Sequence, residues 1–138
     1  SWPEGGPKVL WRAPLGEGYS GMSIVGGRVY TMYARDDDEF AVCLDASDGW
    51  EIWRFRTGSM WKNDQGDGSR STPTIQGGSA YVLAAEGKLY ALDALDGTKK
   101  WSRDFVAEFG STVPGWGYSA SPLIADDLVL VEVELVEV

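Results

Sequence analysis

The chain has no histidine and one cysteine, and its 12 basic residues are outnumbered by 21 acidic ones. A lone Cys43 rules out an internal disulfide and any metal site built from several cysteines. Its place in the apolar run Phe40-Ala41-Val42-Cys43-Leu44 marks it as a buried structural thiol. The formal charge of −9 argues against a nucleic-acid surface, which would carry a basic stripe, and against docking on anionic lipid. No uninterrupted apolar stretch is long enough to cross a membrane, so no direct membrane insertion is expected. The first residue is not Met, and no charged, apolar, small-residue leader is visible. No window shows the apolar spacing of a helix, and 18 Gly with 6 Pro interrupt the chain too often for long helices.

What the chain does have is a phrase that occurs twice. Asp45, Gly49 and Trp53 return as Asp93, Gly97 and Trp101, each 48 residues later (93 − 45 = 97 − 49 = 101 − 53). That period is in the range of a propeller blade. Each copy is an apolar, β-prone run, an Asp-Gly turn of the kind a tight hairpin favours, and a second run carrying the Trp. The segments upstream repeat as well. Ser20 to Tyr30 matches Ser71 to Tyr81 in order: small polar approach, short strand, glycine pair, second strand. A third copy starts at Ala120-Ser121-Pro122, and Trp11 to Gly16 echoes Trp53 to Gly58.

The pattern predicts an all-β chain with strands near 8–12, 21–25, 28–34, 40–45, 51–56, 72–76, 79–84, 88–93, 99–105, 120–124 and 128–136. Runs such as Ala80-Tyr81-Val82-Leu83-Ala84 are apolar at consecutive positions, so these strands should be covered on both faces. The expected organisation is a single propeller fragment: 1–16 as the end of a preceding blade, 17–57 and 66–105 as two four-stranded antiparallel blades, and 117–138 as the start of a further one. Propellers need about four to eight blades to close their ring. The chain therefore reads as part of a larger ring, with self-association through open edges expected for the piece alone. The closing run Val131 to Val138 alternates Val with Glu as far as Leu135 and fits one long strand with an acidic face, or a chain end that is not native.

The spacing resembles a known repeat. The pattern Ala-x-Asp-x-x-Thr-Gly-x-x-x-Trp marks the PQQ-like (quinoprotein-like) β-propeller family, shared by quinoprotein dehydrogenases and BamB-type outer-membrane assembly lipoproteins. Ala91, Asp93, Gly97 and Trp101 fit it with Asp96 in place of Thr; Cys43, Asp45, Gly49 and Trp53 fit it with Cys for Ala and Asp48 for Thr. The resemblance implies a structural docking role for these six Asp, Gly and Trp residues. The Trp stacks across the gap between blades, the Gly permits close approach, and the Asp accepts N–H bonds in the turn.

It also implies a non-catalytic scaffold or binding module of the periplasm or cell envelope, BamB-like, with other proteins or neighbouring blades as partners and no cofactor in this chain. The alternative is part of a PQQ-dependent dehydrogenase using PQQ with calcium. That class calls for a calcium site, a catalytic Asp and, in many members, a vicinal cysteine pair, and this chain shows none of them in sequence.

Candidate chemistry is sparse, and no catalytic or metal-binding residue is assigned. The run Asp36-Asp37-Asp38-Glu39 reads as a solvated hairpin tip rather than a calcium loop, which needs oxygens at alternating positions. Asn63 to Gly68 has the outline of a calcium loop, but Thr74 stands where its closing acid belongs. The segments leading into each innermost strand are expected to ring the mouth of a central channel. There Arg70 would pair with a carboxylate, and Tyr19, Tyr118, Trp61 and Trp116 would stack on a planar or sugar ligand.

Overall fold

A computed structural model describes residues 2–62, 64, 66–114 and 117–132. Two four-stranded antiparallel sheets follow one another. The first runs β1 (Ser23–Val25), β2 (Arg28–Arg35), β3 (Asp38–Asp45) and β4 (Glu51–Ser59), in that spatial order. The second repeats the order with β5 (Thr74–Gln76), β6 (Ser79–Leu83), β7 (Lys88–Asp93) and β8 (Lys99–Asp104). A short helix α1 (Phe105–Phe109) comes next, and β9 (Leu123–Ala125) with β10 (Leu128–Leu130) opens a third sheet. This is an all-β partial propeller.

The repeat persists at the level of register. Cys43 faces Trp53 and Leu44 faces Glu51 across a bulge; in the second sheet Ala91 faces Trp101 and Leu92 faces Lys99 across the same bulge. The β1–β2 and β5–β6 turns use the glycine pairs Gly26-Gly27 and Gly77-Gly78, with φ of 58° and 75° in both, the double positive φ that a two-residue hairpin requires. The Asp-Gly turns differ from the tight hairpin expected. Each is a five-residue connection closed by Asp45 N–H on Trp50 O, or Asp93 N–H on Thr98 O, in which Gly49 and Gly97 alone take positive φ. The Asp carboxylates cap these turns, Asp45 accepting from Ser47 N and Asp93 from Leu95 N at 2.8 Å each. The Ser47 hydroxyl, which donates to Asp45 Oδ1 at 2.5 Å, together with the Ser47 N–H holds the Asp45 carboxyl below its ordinary pKa.

Strand alternation divides the core. Ala41 and Cys43 face the second sheet, joining Tyr30, Met32 and Trp53 against Ala80, Val82, Tyr90 and Leu92. Val42 and Leu44 face the other way and pack with Val29 and Tyr33 under Trp11, Ala13 and Leu15. Beyond the second sheet, Leu83 and Leu89 pack with Phe105, Tyr118, Val113 and Val129. Both faces of the central strands are therefore covered, and Cys43 is fully buried.

Several expectations need correction. Residues 8–12 form no strand: among the described residues no neighbouring strand offers them a ladder, and Trp11 is held instead by its indole bond to Ala46 O at 2.8 Å. β5 and β9 start only after Pro73 and Pro122, which lack the N–H a ladder needs. The strand ending at 105 gives way to α1, capped by the Asp104 carboxylate on Ala107 N–H and ended by Gly110 at φ 61°. The strand expected over 128–136 stops at Leu130; residues 133–138 lie outside the described residues. Among the described residues, no helix is long and apolar enough to cross a membrane.

Candidate functional site

The blade junction is built by one indole per repeat. Trp53, 8% exposed, donates its Nε1–H to Ala94 O at 3.1 Å and lies flat against Gly97, where a Cβ would fall 2.6 Å from Trp53 Cδ2. Ala94 O also accepts from Tyr30 OH at 3.0 Å and Arg28 Nη1 at 3.3 Å. Trp11 makes the same approach to the first sheet, reaching Ala46 O and covering Gly49.

Trp101 departs from the burial expected of it. It stands at the equivalent register and tilts against Tyr81 at 6.1 Å and 49°, as Trp53 does against Tyr30 at 6.1 Å and 51°, yet it is 39% exposed. Each docked Trp sits on the Asp-x-x-x-Gly turn of the next repeat, and no such turn comes after Trp101 in this sequence.

The approach segments give a mixed result. Tyr19 and Arg70 are brought together: Gly18 and Ser69 form a parallel bridge, Tyr19 N–H donates to Ser69 O at 2.6 Å, and the Arg70 guanidinium lies 5.0 Å over the Tyr19 ring. Arg70 Nη2–H donates to Gly66 O at 2.6 Å, and Tyr19, 61% exposed, lies against Gly66. Among the described residues, the buried side-chain polar atoms without a hydrogen-bond partner are Ser20 Oγ and Arg70 Nε, both in this corner. Trp61 is half-buried, its Cδ1 3.0 Å from where a Cβ on Gly117 would stand, so it packs beneath the loop. Tyr118 is core, not a platform open to ligand: it is 3% exposed, edge-on to Phe105, and bonded to Ser111 Oγ at 2.7 Å and Thr112 O at 3.1 Å. Trp116 lies outside the described residues, as do Asn63 and Gln65 of the second calcium-like segment.

The acidic run is not a uniformly solvated tip. Asp36 and Asp37 form its corners at φ 52° and 67°; Asp37 pairs with Lys62 at 2.9 Å and Asp38 with Arg56 at 2.8 Å. Glu39 turns inward and is 1% exposed. Its Oε1 accepts from Thr57 Oγ1 at 2.6 Å, and its Oε2 accepts from Ser69 Oγ at 2.9 Å and Ala85 N at 3.4 Å. Burial pushes its pKa up, partly offset by these three donors, and the nearby Glu86 charge adds to the rise. The missed signal was parity, since Glu39 shares the face of Ala41 and Cys43. Among the described residues, no three His, Cys, Asp or Glu side chains are placed to hold a metal ion.

The family model for outer membrane protein assembly factor BamB matches residues 4–134. The chain belongs to this PQQ-like, BamB-type propeller family. The BamB of Salmonella typhimurium is 28% identical over 109 residues, covering 74% of this chain and 27% of its own length. The chain thus spans about a quarter of that relative.

Among solved structures, BamB from Moraxella catarrhalis superposes with a TM-score of 0.58 at 17% identity, over 81% of this chain and 29% of that one. The quinohemoprotein alcohol dehydrogenase ADHIIG from Pseudomonas putida HK5 does so with 0.65 at 21% identity, over 91% and 18%. At such identities these two likenesses speak for the fold alone, because one fold hosts many unrelated functions.

Proposed function

We propose that this chain is part of a non-catalytic, BamB-like propeller of the periplasm or cell envelope that holds other proteins during outer-membrane protein assembly. The observation that carries the reading is the BamB family match over residues 4–134, supported by the curated Salmonella relative. Trp53 with Asp93 and Gly97 docks one blade on the next, Asp45 and Gly49 form the equivalent seat under Trp11, and Trp101 would dock in the same way on a further blade. Partner proteins, or further copies of this chain, would add at the β10 edge, where Leu123, Leu128 and Leu130 are exposed and β10 pairs only with β9 among the described residues.

The dehydrogenase reading rests on the likeness to quinohemoprotein structures and requires PQQ, a planar tricarboxylate that calls for several cations and a stacking platform. The Tyr19–Arg70 corner does not fit that demand. Arg70 is the cation there, one guanidinium nitrogen already donates to Gly66 O, and its face is spent on Tyr19. The unpartnered Arg70 Nε and Ser20 Oγ suit a water or a small anion better than a tricarboxylate.

Titration of PQQ with calcium, followed by tryptophan fluorescence, is expected to show no saturable binding. Micromolar binding abolished by Arg70→Ala would put the dehydrogenase reading first. Cross-linking in envelope fractions, expected to capture outer-membrane assembly proteins, tests the scaffold role separately.

A further inference from the structure

Among the described residues, Glu39 is the one ionisable carboxylate in the buried set, and it sits where four segments meet. Thr57 comes from β4 of its own sheet, Ser69 from the linker between sheets, and Ala85 from the β6–β7 turn of the second sheet. Tyr90 of β7 donates to Thr57 O at 2.9 Å, tying the same spot to the second sheet again. The linker itself continues the contact, since Ser69 O accepts the Tyr19 N–H.

The fold does not demand a carboxylate at this place. One repeat later, at 39 + 48, stands Gly87, and the space is filled by the ring of Tyr118, 49 residues beyond Ser69; a Cβ on Gly87 would fall 2.7 Å from Tyr118 Cε2. Equivalent junctions are thus closed by an aromatic ring in one case and by an ionisable group in the other. An ionised carboxylate removed from water is costly even with several donors, whereas the protonated acid keeps its bonds to the Thr57 and Ser69 hydroxyls without that cost.

We propose that protonation of Glu39 sets how tightly the linker segments carrying Tyr19, Ser69 and Arg70 are held to the junction between the two sheets. The acid form latches them; the anion draws water in and loosens them. The charged and titratable groups facing this junction are Glu86 from the β6–β7 turn, Tyr90 from β7, the Arg56–Asp38 pair from β4 and β3, and Asp104 at the end of β8. Glu86 and Asp104 share Glu39's sign, and Arg56 is engaged by Asp38, so none of them supplies a free counter-charge. Because the folded form holds its proton more tightly than the unfolded one, the added stability is complete below the ordinary glutamate range. It is lost as pH rises through the raised value.

The test compares wild type with Glu39→Gln by urea unfolding from pH 4 to 8 and by amide exchange at Tyr19 and Ala85, corrected for intrinsic chemical exchange. The wild-type opening constant is expected to rise relative to that of the variant, by at most about tenfold per pH unit, the limit for one proton. Protection at Tyr19 and Ala85 should fall in the same window. Parallel profiles in the two proteins would overturn the proposal, because a purely structural Glu39 shifts stability equally at every pH. Should Glu39→Gln not fold, carbon-13 NMR of the wild-type Glu39 carboxyl decides: a midpoint above the ordinary glutamate range supports the latch, and one within or below it removes it. The readout is independent of any ligand, so the latch can fail while the scaffold reading stands.

Discussion

Trp53→Ala is expected to destabilise the protein by about 3–5 kcal/mol, the usual cost of deleting a large buried aromatic. The indole is nearly inaccessible, fills the space between the two sheets beside Tyr30, and covers Gly97. Its removal leaves a cavity in the largest apolar cluster and takes one of three donors from Ala94 O. Tyr30 and Arg28 still satisfy that carbonyl, so the penalty is one of packing rather than of an orphaned polar group.

Trp101→Ala should cost about 1 kcal/mol or less, since the ring is partly solvated and its N–H meets no acceptor among the described residues. Urea unfolding of both variants, with unchanged m-values, measures the difference. Equal costs would mean that the two junctions do not differ as their burial indicates.

That contrast shows which parts of this molecule a sequence can disclose. The period of 48 was legible because Asp, Gly and Trp are tied to the repeat by local chemistry: a capped turn, a positive φ and a flat donor. The exposure of Trp101 was not legible, because it depends on whether a further blade covers the ring and not on its neighbours along the chain. Glu39 was hidden by its neighbours in sequence. A run of four acids looks like one solvated object, yet strand alternation sends the fourth into the core while the first two turn the corner.

The candidate corner was half legible. Tyr19 and Arg70 stand out as residue types, but their contact depends on a parallel bridge between Gly18 and Ser69, 51 residues apart, which no local pattern encodes. Tyr118 shares the Gly-Tyr-Ser setting of Tyr19 and proved to be core, because the space over Gly87 accepts a ring there.

Gly97→Ala is expected to be nearly as damaging as Trp53→Ala, although it adds a single methyl group. Two costs combine. Gly97 has φ 77°, a left-handed conformation that costs an L-residue about 1–2 kcal/mol. The added Cβ would also lie 2.6 Å from Trp53 Cδ2, a separation that forces the indole off its seat and weakens its bond to Ala94 O. Gly77→Ala separates the two terms: its φ is 58°, but nothing lies within 4 Å of the new Cβ, so only the backbone cost of about 1–2 kcal/mol should appear. In the double variant Trp53→Ala with Gly97→Ala the steric term vanishes, so the combined loss should fall short of the sum of the single losses by roughly 0.5–3 kcal/mol, the range found for residues in contact. If Gly97→Ala and Gly77→Ala cost the same, or if the double variant is strictly additive, the indole does not rest on Gly97 in solution. The repeat would then be joined chiefly by Tyr30 and Arg28 on Ala94 O.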